Sequence, residues 1–163
     1  MTLRILASDE AATRALGAAL ARALEPRTVI HLDGPLGAGK TTLARALIQA
    51  LVPGARVKSP TYALVETYAE ASPPIHHLDL YRIVDPEELE FLGLRELADE
   101  GAAILVEWPE RGLGWLPPAD VTLAMTLAPG VREIVLSARS ERGERVISRL
   151  GGLETSAAAD SAP

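Results

Sequence analysis

The stretch Gly34-Pro35-Leu36-Gly37-Ala38-Gly39-Lys40-Thr41 satisfies G-x-x-x-x-G-K-[ST] and lies between "TVIHLDG", an apolar β-branched run, and "TTLARALIQAL", an apolar helical one. Glycines let the backbone wrap closely around an anion, so that amide hydrogens and the start of the following helix face the phosphates of a nucleotide. In that setting Lys40 supplies charge at the β- and γ-phosphates and Thr41 ligates Mg2+. Chemistry at the γ-phosphate also needs an acidic partner for the metal and a group that orients the attacking water.

Two carboxylates are candidates for these roles. Glu107 ends "GAAILVEWPE", the most apolar strand in the chain, where loops at the carboxyl ends of parallel strands gather. Asp79 stands in "IHHLDLYRI", residues 75–83, which reads as a strand with His77, Asp79 and Tyr81 on one face and Leu78 and Leu80 on the other. Either carboxylate suits the metal, directly or through water. A zinc site is not expected: the adjacent His76 and His77 diverge on a strand, and there is neither a cysteine nor a third well-spaced histidine. Ser59-Pro60-Thr61 follows the phosphate loop, and Pro60 forces Ser59 to be extended. Such a segment reads alone as an ordinary turn, although its position lets it reach a γ-phosphate and report its loss.

The elements that position these groups are legible in outline. "SDEAATRALGAALARAL", from Ser8 to Leu24, predicts a helix with Ser8 as cap and Asp9 and Glu10 in its acidic first turn. Strand, loop and helix follow from Thr28, the helix closing at "VPG", and then "ALVETYAE" as a strand. Asp85-Pro86-Glu87-Glu88 carries the cap, first-turn proline and acidic residue of a helix start, and that helix is expected to run to about Ala98. After the strand ending at Glu107, Pro117 and Pro118 interrupt the chain. "VTLAMTL" and "REIVLSAR", joined by "APG", then predict a hairpin, with a turn of helix around "ERVISRL". The expected fold is α/β, three-layered, with a mixed, mostly parallel sheet and antiparallel edge strands.

At 163 residues, 48% hydrophobic and 23% charged, the chain predicts one domain over 1–153 and a disordered tail over 154–163, where small and polar residues dominate. The absence of cysteine excludes a disulfide scaffold. "MTLRILASDE" has no basic segment followed by an apolar run, and no apolar stretch approaches the roughly 18 residues that a membrane span needs, so a cytosolic location is expected. A net charge of −6 argues against autonomous binding of nucleic acid.

In order and spacing, "GPLGAGKTT", "VKSPTY", "HLDLYR", "DPEELEFLG" and "VEWPE" closely resemble the bacterial P-loop ATPase family called TsaE or YjeE, from about residue 5 to residue 150. The resemblance implies a cytosolic, weak, Mg2+-dependent ATPase needed for threonylcarbamoyladenosine at A37 of tRNAs that read codons beginning with A. It implies TsaD and TsaB as protein partners, with tRNA reached through their complex. Carried over by position, Leu36, Gly37, Ala38, Gly39, Lys40, Thr41 and Thr42 hold nucleotide, Thr41 and Glu107 take the metal, and Asp79 sits beside the γ-phosphate. Ser59, Pro60 and Thr61 resemble the family's switch segment; Tyr81 and Arg82 support the site or touch the partner complex. Trp108 and Glu10 match nucleotide-contacting positions, although the helix dipole also accounts for Glu10. Arg132 matches the arginine of a segment that usually reads Gly-Arg-Glu, with Val131 here in place of the glycine.

Three other readings remain open at this level. A small-molecule kinase needs an acceptor pocket and an arginine-rich lid, whereas the only dense basic spacing, Arg139, Arg142 and Arg145, falls late in the chain. A GTPase lacks its guanine-reading Asn-Lys-x-Asp motif here. A non-catalytic, nucleotide-gated assembly module would use binding alone.

Overall fold

The computed structural model describes residues 1–58, 60 and 64–151. Seven strands form one sheet: β1 (Thr2–Ala7), β2 (Val29–Asp33), β3 (Val65–Tyr68), β4 (Ile75–Asp79), β5 (Ala103–Glu107), β6 (Val121–Ala128) and β7 (Val131–Ala138). Their spatial order is β1-β7-β6-β2-β5-β4-β3. The middle four, β6, β2, β5 and β4, are parallel, while β7 and β1 at one edge and β3 at the other pair antiparallel. The α/β mixed sheet expected from sequence is therefore present. β1 is additional to the elements expected. Its alternation, with Leu3 and Ala7 buried and Thr2, Arg4 and Leu6 exposed, suits an edge strand lying over helices.

The helices are α1 (Glu10–Ala23), α2 (Lys40–Leu51), α3 (Leu94–Asp99) and α4 (Glu141–Leu150). α1, α2 and α4 cover one face of the sheet, burying Leu20, Leu47 and Ile147 against Ile75, Leu105 and Leu136. On the other face, Leu78, Leu80, Ile104 and Val106 pack with Leu89 and Leu94 from the segment between β4 and β5. These are the three layers. Removing one such buried leucine costs about 2–5 kcal/mol, since transfer and cavity terms add.

Four expectations are corrected. Asp9, not Ser8, caps α1, its side chain accepting from Ala12 N, so the first acidic turn begins at Glu10. β4 ends at Asp79 rather than continuing to Ile83, because the Asp79 side chain accepts from Tyr81 N at 3.0 Å and turns the chain. The helix expected from Asp85 to Ala98 is two pieces, a 3₁₀ helix over Pro86–Leu92 and α3, separated by Gly93 at φ 59° and ψ 40°. That left-handed conformation ends one helix as it starts the next, and glycine adopts it without a Cβ penalty. α4 is also longer than the single turn expected, and Ser140 caps it through Gly143 N. The proposed tail, 154–163, lies outside the described residues, among which no helix is long and apolar enough to cross a membrane.

Candidate functional site

Because β2, β4 and β5 are parallel, their carboxyl ends deliver three groups to one edge of the sheet: the glycine-rich loop after Asp33, Asp79, and Glu107. Asp79 and Glu107 are register partners across β4 and β5. They and the loop line one cavity of about 300 Å³, together with Leu36, Gly37, Ala38, Gly39, Lys40, Thr41, Pro60, Leu64, Tyr81, Arg82 and Trp108. Thr42, one residue further along α2, is half-buried and stands outside that lining. Ser59 and Thr61 lie outside the described residues.

Glu107 is 1% exposed and bound at both oxygens. The Thr41 hydroxyl donates to Oε1 at 2.7 Å, and His77 Nε2 lies 2.7 Å from Oε2. These contacts place the carboxylate beside the first turn of α2, with the hydroxyl and carboxylate oxygens adjacent. Hard oxygen donors at the mouth of a phosphate loop fit Mg2+.

Lys40 is 5% exposed. Its ammonium donates to the Gly34 carbonyl and lies 3.3 Å from the centre of the Trp108 ring. Burial lowers its pKa, and the nearby carboxylates Glu107, Glu110, Asp33 and Asp79 oppose that shift. Trp108 takes φ 58° and ψ 50°, left-handed and just before Pro109, a conformation that costs on the order of 1–3 kcal/mol in a residue with a side chain. The strain falls between Glu107 and a second 3₁₀ helix, Pro109–Gly112. The Tyr81 ring lies 5.0 Å from that of Trp108, tilted at 51°, and Arg111 lies 5.0 Å from the Tyr81 ring and donates to the Tyr81 carbonyl. Although Tyr81 lies beyond the strand, the turn at Asp79 still brings it to the cavity.

A second groove adjoins the loop and contains Ser8, Asp9, Glu10 and Arg132. Glu10 is exposed and paired with Arg14 at 2.6 Å. Arg132 is half-buried, with Val131 aligned opposite Ala128 across the hairpin. The guanidinium carbon of Arg132 stands 3.5 Å from where a Cβ on Gly39 would be, and Gly39 itself has φ 105°. A valine at 131 is therefore compatible with an arginine laid against the phosphate loop.

Leu64, which lines the cavity, and two polar residues beside that cavity, His77 and Arg111, are not among the site candidates. His77 was visible on the polar face of its strand, but its partner was not, since Glu107 is distant in sequence. Arg111 follows the strand end by four residues, and no spacing rule connects it to Tyr81.

The family described as "Threonylcarbamoyl adenosine biosynthesis protein TsaE" matches residues 7–134. A Haemophilus influenzae protein named tRNA threonylcarbamoyladenosine biosynthesis protein TsaE is 45% identical over 124 residues, 76% of this chain and 78% of its own length. A Bacillus subtilis protein of the same name is 33% identical over 139 residues, 85% and 87% of the two chains. The crystal structure of Bacillus subtilis YdiB superposes with a TM-score of 0.80 at 25% identity, covering 94% of this chain and 97% of that one. A P-loop between β2 and α2, a mixed sheet and this extent of similarity lead to one assignment: the chain belongs to the TsaE family.

Proposed function

We propose that this protein binds ATP with Mg2+ and hydrolyses it slowly, as a subunit supporting formation of threonylcarbamoyladenosine at A37 of tRNAs that read codons beginning with A. TsaD and TsaB are its proposed partners, tRNA is engaged through their complex, and the compartment is the cytoplasm. The relatives' names support the pathway. The observation that carries the chemistry is the Thr41–Glu107 contact at 2.7 Å, on the cavity that also holds Lys40 and Asp79.

In this mechanism the amides of Gly37 to Thr41 and the N-terminus of α2 cradle the phosphates, and Lys40 pairs with their charge. Thr41 and Glu107 hold the metal. Held there, Mg2+ would supply Lewis-acid charge neutralisation at the phosphates. Asp79, at the end of β4, orients water and accepts its proton. Trp108, Glu10 and Arg132 contact the rest of the nucleotide, Tyr81 and Arg82 flank the opening, and Ser59, Pro60 and Thr61 form the switch that senses the γ-phosphate.

The test is mass spectrometry of tRNA nucleosides from cells depleted of this protein and supplied with the intact gene or a Lys40→Ala copy. Loss of threonylcarbamoyladenosine restored by the intact copy alone is the expected result. Unchanged levels on depletion would remove the protein from that pathway.

A further inference from the structure

His77 is fully buried on the face of the sheet covered by α2, two residues before Asp79 on β4 and diagonal to Glu107 on β5. Its Nε2 approaches Glu107 Oε2 at 2.7 Å, while its Nδ1 is buried with no hydrogen-bond partner among the described residues. With the Glu107 carboxylate as acceptor, Nε2 carries the shared hydrogen, and Nδ1 has no acceptor among the described residues. A leucine would fill this core position without stranding a polar atom. Leaving Nδ1 unpaired costs stability, and the offsetting gain is one charge-assisted hydrogen bond to a buried carboxylate.

We propose that His77 is a positioning residue for Mg2+, acting through Glu107 and resting on the ATP-Mg2+ reading above. Thr41 holds Oε1 and His77 holds Oε2, so the carboxylate has a donor on each oxygen and cannot rotate about its own axis. Oε1 thus stays turned to the Thr41 hydroxyl, where the two oxygens together take the cation. Without the Nε2–H donor, Oε2 is a buried charge lacking its partner, and the carboxylate relaxes away from Thr41.

The test measures ADP affinity of the intact chain by calorimetry over a series of Mg2+ concentrations and in EDTA. His77→Met keeps apolar volume and removes the donor; His77→Gln keeps an N–H at a similar reach. In the Met variant the Mg2+ concentration giving half the affinity gain rises about tenfold or more, the scale of losing an outer partner of a metal ligand. Its affinity in EDTA stays at the wild-type value, which also verifies the fold, and the Gln variant restores most of the Mg2+ response. A Met variant with the wild-type Mg2+ midpoint, equal losses with and without metal, or a Gln variant no better than Met overturns the role of His77 alone. Wild-type protein that binds ADP without any response to Mg2+ overturns the metal reading and this inference together. Independently of any substitution, the ring nitrogen chemical shifts of His77 in the wild-type protein should show the Nε2–H tautomer. A hydrogen on Nδ1 instead would overturn the assignment.

Discussion

The ammonium of Lys40 rests 3.3 Å from the centre of the Trp108 ring while donating to the Gly34 carbonyl, so the cation proposed to pair with phosphate is held against the protein's own groups. This buried position lowers its pKa below the usual 10.5, chiefly by desolvation. Phosphate oxygens would bring negative charge to the ammonium and raise the pKa again. Between the two values the complex binds more protons than the free protein, so nucleotide binding takes up protons there and weakens as pH rises. Calorimetric titration of ADP at alkaline pH, in buffers of different ionisation enthalpy, reads this uptake directly. Identical apparent enthalpies in all buffers would contradict the recharging of Lys40.

Lys40 and Asp79 line one cavity but are assigned separable tasks. Lys40→Ala is expected to abolish binding and turnover together. Asp79→Asn retains an oxygen that can accept from Tyr81 N, and so preserves the turn after β4, but removes the charge. It should bind ATP within a few-fold of wild type and lose about a hundredfold or more in stimulated turnover, the usual scale for removing a general base. Asp79→Ala should behave likewise in hydrolysis. Turnover at the wild-type rate in both Asp79 variants would take Asp79 out of the chemistry.

The phosphate loop was legible because one contiguous motif carries both its chemistry and its local structure. Lys40 and Thr41 follow the loop onto α2 whatever surrounds them. Glu107 was legible as a strand-end carboxylate and Asp79 as a carboxylate on the polar face of a strand, and pairing β4 directly beside β5 makes them neighbours. What the sequence did not yield depends on contacts between distant segments. The bond from His77 to Glu107 requires two strands in register, and Arg111 reaches Tyr81 only because the chain turns at Asp79. The helix over Asp85 to Ala98 failed for a local reason that was readable: Gly93 interrupts an otherwise helical pattern. β1 was missed because its short apolar alternation gains meaning only from pairing with β7, the last strand in the chain.

Acid should destabilise this fold through two histidines away from the nucleotide. Burial lowers the pKa of His31, with a backbone bond at Pro117 opposing, and that of His76, with Glu100 opposing. Desolvation disfavours the cation in the folded state only, so the unfolded chain takes up these protons at higher pH. Stability is therefore full above the usual 6.5 and is lost as pH falls through 6.5 toward the folded values. Thermal melting across this range should show Tm falling with acid, and the slope should flatten in a His31→Gln/His76→Gln double variant. An unchanged slope in that variant would assign the acid sensitivity to other groups.

Asp120, 7% exposed, joins the first half of the chain to the last. Its Oδ2 accepts from Val29 N at 2.8 Å, its Oδ1 accepts from the Ser140 hydroxyl at 2.5 Å, and Arg142 approaches both oxygens at 3.4 Å. The same carboxylate thus anchors the start of β2, its own position before β6, and the cap of α4. Asp120→Ala leaves a buried amide and a hydroxyl without acceptors, at a cost of about 2–3 kcal/mol for hydrogen bonds to a charged group. Val29 lies at the opposite end of β2 from the phosphate loop, so ADP affinity should stay near wild type under conditions where the variant is folded. Urea unfolding paired with ADP titration checks both halves of the prediction. Wild-type stability would mean that the cluster is replaced by water without loss, whereas weakened ADP binding at native stability would mean that β2 transmits its anchoring to the loop.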